Sequence, residues 1–134
     1  MVVLLTLLGA CGRFGFDELG AAPDAAGITL RCPAAMVEVE VASACIEQLQ
    51  RGSTTWTEAR ASCEALGRRL CTAVEWVAAC SNESAVTGMT DDWEWLAEEA
   101  GGIADKRGSG GCDQTAVHEI FVDSFGYRCC AATL

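Results

Sequence analysis

Nine cysteines in 134 residues are this chain's main store of reactive chemistry. Thiols at that density serve as metal ligands, redox centres or disulfide halves. Zinc sites need C-x-x-C pairs or histidines at set spacing. The chain has no C-x-x-C, and His118 is its one histidine. Disulfides are therefore the better reading, and they imply an oxidising compartment. Cys11 stands apart near the N-terminus. The other eight, Cys32, Cys45, Cys63, Cys71, Cys80, Cys112, Cys129 and Cys130, are an even number and fit a complete framework.

Other residue types offer weaker chemistry. Asp91, Asp92 and Glu94, with Glu98 and Glu99 beyond them, present carboxylate oxygens of the kind calcium takes. A solvated acidic face explains them more simply. Trp56, Trp76, Trp93 and Trp95 could stack on a sugar, but their spacings suit a core. His118 could act as a base, yet no nucleophile stands beside it. Ser109 and Ser124 lack a G-x-S-x-G setting. The net charge of -10 repels polyanions, so nucleic acid and anionic membrane surfaces are excluded as partners. Arg68-Arg69 and Lys106-Arg107 are two short basic pairs and form no stripe.

The elements that would hold these residues can be read from periodicity and punctuation. Met36–Val41, MVEVEV, alternates as a half-buried strand does. Cys32 and Cys45 flank it, so a bridge between them would close an N-terminal hairpin. Thr54 or Thr55 can cap a helix, with Glu58 placed to complete a capping box from Thr55, and Trp56, Ala59, Cys63 and Leu66 then recur at helical spacing. Gly67 ends that helix. Arg68–Cys71 is strand-like. Thr72 with Glu75 starts a second helix carrying Trp76 and Cys80. Ser81–Thr90 reads as a loop. Trp93 and Trp95 alternate with Glu94, as core-facing strand residues would. Ala100–Gly111 is Gly-rich and reads as irregular. Glu119–Val122 and Tyr127–Cys130 are candidate closing strands.

The ordered set of motifs resembles the formylglycine-generating enzyme (sulfatase-modifying factor) family, a branch of the C-type lectin-like folds. That family reads roughly W-x-x-A-x-x-Y-C…G-K-R-L-P-T-E-A-E-W-E-x-A-C. Trp56, Ala59, Cys63, Gly67, Arg69, Leu70, Thr72, Glu75, Trp76, Ala79 and Cys80 match it in register. Its W-E-W matches Trp93-Glu94-Trp95, its R-G-G-S-W is approximated by Arg107–Gly111, and its closing G-F-R-C matches Gly126–Cys129. The resemblance spans Cys32 to the C-terminus.

The resemblance also implies bridges. Lectin-like domains often begin with a CP…C hairpin, which supports Cys32–Cys45. The family's helix cysteine bonds the closing strand, which implies Cys63–Cys129. A second half-cystine pairs across the Gly-rich segment, which implies Cys80–Cys112. Cys71 and Cys130 are additions to the pattern and are expected to pair with each other. Neighbours on a strand point to opposite faces, so Cys129 and Cys130 need different partners. The departures bear on activity. The active family enzyme binds copper through two further cysteines a few residues apart, and soft thiolates suit Cu(I). Here Cys112, the one candidate redox thiol, is followed by no cysteine until Cys129.

Met1–Ala10 is an apolar run ending at Cys11, too short to span a bilayer. Leu8-Gly9-Ala10-Cys11 resembles a bacterial lipoprotein processing site, which implies lipidation of Cys11. The expected organisation is a signal peptide over 1–10, a flexible tether over 11–30 and one domain over 31–134. The expected fold is α+β and disulfide-rich: a C-type lectin-like domain of the formylglycine-generating type, with two helices on small twisted antiparallel sheets. The expected function is a non-catalytic binding or structural module of the bacterial envelope, on the outer membrane or periplasmic face. It would hold a protein or glycan ligand, need no cofactor and touch the membrane only through lipid. The rivals are a copper-dependent oxidase of a peptide cysteine and a calcium-dependent carbohydrate binder.

Overall fold

Each helix begins where a threonine stands three residues before a glutamate. Thr55 accepts from the Glu58 backbone N–H, and the Glu58 side chain returns to the Thr55 N–H. Thr72 and Glu75 repeat the arrangement. Such caps are worth about 1 kcal/mol each. They start α1 (Trp56–Glu64) and α2 (Ala73–Asn82). Gly67, at φ +68°, turns the chain out of α1, and the Arg68 N–H closes back on the Cys63 carbonyl at 2.9 Å. The computed structural model describes residues 31–134. The expectations for segment 1–10, for Cys11 and for the tether 11–30 lie outside the described residues.

Along the chain the strands are β1 (Met36–Val39), β2 (Ala44–Glu47), β3 (Arg51–Thr54), β4 (Arg69–Leu70), β5 (Glu94–Ala100), β6 (Ile103–Gly108), β7 (Gly111–Glu119), β8 (Phe125–Tyr127) and β9 (Cys129–Ala132). They form two sheets, ordered β1-β2-β9-β4 and β3-β8-β5-β6-β7. The protein is therefore α+β and rich in disulfides, as read from the sequence. The first sheet is antiparallel throughout. The second is not, which corrects the antiparallel expectation: β5 and β8 run parallel, Glu94 opposite Gly126 and Trp95 opposite Tyr127.

The Gly-rich stretch is a second correction. Ala100–Gly111 is no irregular loop, because its glycines sit at turns and leave the strands between them intact. Gly101 and Gly102, at φ +62° and +84°, turn β5 into β6. Positive φ at both central residues is the geometry of a tight hairpin turn. Ser109-Gly110 turns β6 into β7. Gly108 is required for another reason: a Cβ there would lie 2.4 Å from the Met89 carbonyl and 2.8 Å from that of Asp92. The first expected strand stops at Val39, where a 3-10 turn begins at Glu40. Of Glu119–Val122 only Glu119 remains in a strand.

Two apolar clusters lie on either side of the closing strand. Val39, Ile46, Trp76, Leu96 and Cys130 centre one. Trp56, Ala59, Leu70, Trp95 and Cys129 centre the other. Alternation along β9 sends Cys129 and Cys130 into different cores. The bridges are Cys32–Cys45, Cys63–Cys129, Cys71–Cys130 and Cys80–Cys112, with Cα separations of 5.5, 5.4, 4.8 and 5.8 Å. The bridge from α1 to β9 closes a 66-residue span. Among the described residues no helix is long and apolar enough to cross a membrane.

Candidate functional site

The structure removes Cys112 from the list of reactive groups. It is bonded to Cys80 and joins β7 to α2. Every cysteine among the described residues is in a bridge.

Asp91, Asp92 and Glu94 do not converge. Asp91 and Asp92 are exposed, and Asp92 accepts from the Trp93 backbone N–H at 2.7 Å. Glu94 is fully buried and its oxygens are occupied. Arg128 donates to it through Nε at 3.0 and 3.1 Å, and Trp76 through Nε1 at 2.9 Å. Among the described residues no group of three His, Cys, Asp or Glu could hold a metal ion. Glu94 is thus a core ion-pair partner, which corrects the reading of Glu94 as part of a solvated acidic face and as the outward residue of its strand. Burial raises its carboxyl above the usual range, and the pull of Arg128 does not fully offset this. Arg128 also donates to the carbonyls of Glu47, Gln48 and Thr87. One guanidinium so ties together β5, the β2–β3 connection and the loop after α2.

The tryptophans divide similarly. Trp56, Trp76 and Trp95 are buried, and each indole N–H has a partner: the Leu96 carbonyl, Glu94 and the Thr54 carbonyl. They are core residues. Trp93 is half-buried and lies against Lys106.

Lys106, the chain's one lysine, is itself buried on β6. Its ammonium lies 3.7 Å from the centre of the Phe125 ring and 4.8 Å from that of Trp93. Burial lowers its pKa against the opposing pull of Asp123 and Asp92. His118 packs on Phe125 at 5.3 Å and pairs with Asp123. The register places Lys106 opposite Ala116, two residues before His118, so both side chains stand on one face of β6–β7. The one lysine and the one histidine therefore share Phe125.

The most open chemistry lies where the chain crosses from the first sheet to the second. β2 ends at Glu47 and β3 begins at Arg51, and Gly67 releases Arg68 from α1 toward the same point. Glu47 is buried and accepts from Arg51 Nε at 2.8 Å, Arg51 Nη2 at 2.6 Å, Arg68 Nη1 at 2.7 Å and the Cys129 N–H at 3.0 Å. Burial raises the Glu47 carboxyl, but the Arg51, Cys129 and Arg68 donors outweigh it and hold the group below the usual carboxylate value. Arg51 and Arg68 wall a cleft of about 340 Å³ with Ala34, Ala35, Glu47, Gln48, Leu49 and Gln50. Two guanidiniums against one carboxylate leave a positive spot on an acidic chain.

Sequence reasoning missed this cleft. Glu47 and Arg51 stand four apart, which suggests a helical pair, whereas the intervening residues are a sheet-to-sheet crossing. Arg68 was visible only as half of a short basic pair. A scan against protein-family models finds no family that matches the chain, and a comparison with curated proteins finds no match either.

Proposed function

We propose that this protein is a non-catalytic binding module, built on a C-type lectin-like domain of the formylglycine-generating type and carried on a bacterial envelope by lipid at Cys11. The observation that carries the non-catalytic reading is the pairing of all eight described cysteines. A copper-dependent oxidase of this type needs thiolates, and bridged sulfurs supply none. The fold assignment is supported by the two capping boxes, by the bridge from α1 to the closing strand, and by the ion pair between Glu94 of the W-E-W motif and Arg128 of the closing motif. The calcium-dependent reading loses support because Glu94 is occupied by Arg128 and Trp76.

Staples of this kind suit a recognition surface. A disulfide is worth about 2–4 kcal/mol, chiefly by restricting the unfolded chain. Four of them let a small domain hold polar groups at fixed positions on a modest core. The experiment is an oxygen-consumption assay with Cu(I) and a cysteine-containing peptide. The proposal predicts no consumption above that of Cu(I) and peptide alone. Turnover that depends on the protein would overturn it.

A further inference from the structure

We propose that the cleft walled by Arg51 and Arg68 binds the C-terminal carboxylate of a peptide; this names the ligand class of the module proposed above and rests on that reading. The first support is the saturation of Glu47. A carboxylate has about four acceptor positions. Those of Glu47 are filled by Arg51 Nε and Nη2, Arg68 Nη1 and the Cys129 N–H. Glu47 therefore fixes the guanidiniums and has no acceptor left for a ligand. Arg68 Nε and Nη2 have no hydrogen-bond partner among the described residues, and Arg51 also meets the Tyr127 side chain across the strand pair. The Arg51 and Arg68 side chains are 36% and 20% exposed, against 8% for Glu47. Both arginines and Glu47 line the cleft, and the guanidiniums are the more exposed of the three groups. Guanidiniums held in one orientation match a planar carboxylate, and little order is lost on binding.

The other walls narrow the class. Ala35, Leu49 and Gln50 offer small apolar surface and an amide, which suit a terminal side chain and a peptide group. Among the described residues no aromatic ring lines the cleft, so a sugar would find no stacking platform there. A polyanionic chain would meet the net charge of -10 beyond the cleft, whereas one terminal carboxylate meets chiefly the local positive spot. Capture of a chain terminus is an established recognition mode.

The test is an NMR titration of the full chain, reading the Nε–H signals of Arg51 and Arg68. The probes are N-acetyl-Ala-Ala with a free carboxylate, the same peptide as its amide, and glucuronate. The free acid is expected to shift both signals with an affinity that falls as salt rises. The amide should shift neither, and glucuronate should bind about tenfold more weakly or less. Arg68→Gln should weaken the acid about tenfold, because one charge-assisted bond is lost. Leu49→Glu, at an exposed position that folding does not need, should abolish binding. Failure of the acid to bind, equal binding of the amide, glucuronate binding as tightly as the acid, or an unchanged affinity in Leu49→Glu would each overturn the proposal. These outcomes separate from the parent reading: absent binding with every cysteine paired removes the ligand class alone, whereas oxygen consumption removes the module.

Discussion

Two carboxylates in this protein face arginine, and their settings send them in opposite directions. Glu94 and Arg128 are both fully buried. Glu47 is buried, but its partners Arg51 and Arg68 reach solvent. At Glu94 the cost of burial dominates and raises the carboxyl. At Glu47 burial is again the largest single influence, yet two guanidiniums and a backbone N–H together overcome it. The dry pair is a tie between elements that leaves no donor facing outward. The wet cluster keeps unused donors at the surface. Depth, more than the choice of residues, separates a structural ion pair from one that can meet a ligand.

Breaking the dry pair should give the largest effect. Arg128→Leu strands Glu94 in the core and removes the donors to the Glu47, Gln48 and Thr87 carbonyls. It is expected to cost about 3–5 kcal/mol in urea unfolding, as removal of one partner of a buried pair does. Arg128→Lys should recover only part, since an ammonium cannot reproduce the fork. Glu47→Gln should cost less, about 1–2 kcal/mol by the same measurement, because Arg51 and Arg68 can turn to water.

The pH dependence sharpens the contrast by sign. Glu47 and Glu75 lie below the ordinary value of 4.5 in the folded protein. The unfolded chain then binds more protons, so their contribution is present above 4.5 and is lost as pH falls through the folded values. Glu94 lies above 4.5 when folded. Its contribution is present below 4.5 and declines as pH rises through the folded value. Stability measured against pH should therefore lose part of its acid limb in Glu47→Gln, and part of its decline above 4.5 in Glu94→Gln. The smallest effect is expected at the exposed Arg60–Glu64 pair on α1. Glu64→Ala should change the unfolding free energy by about 0.5 kcal/mol or less.

Local chemistry was the legible part of the sequence. Both capping boxes, the Gly67 exit and the inward Trp56, Trp76 and Trp95 could be read from local pattern, whereas Trp93, expected beside Trp95 in the core, is half-buried and precedes the strand. The β5–β6–β7 meander was not, because Gly101, Gly102, Gly108 and Gly110 resemble loop composition although they occupy turns and one tight approach. Alternation around Glu94 misled because a charged residue can face a core when a distant arginine meets it there. The parallel pairing of β5 with β8 joins segments far apart in sequence, and the Arg51–Glu47–Arg68 cleft brings the exit of α1 to the crossing between the sheets. Only the folded topology brings them together.

The most direct test of the central claim, a fully bridged scaffold without a catalytic thiol, is the intact mass of the protein, made in an oxidising compartment, after alkylation without reduction. The account predicts no alkylation at any of the eight cysteines from Cys32 to Cys130. Modification of Cys112, or of any bridged cysteine, would contradict it and return copper chemistry to the site.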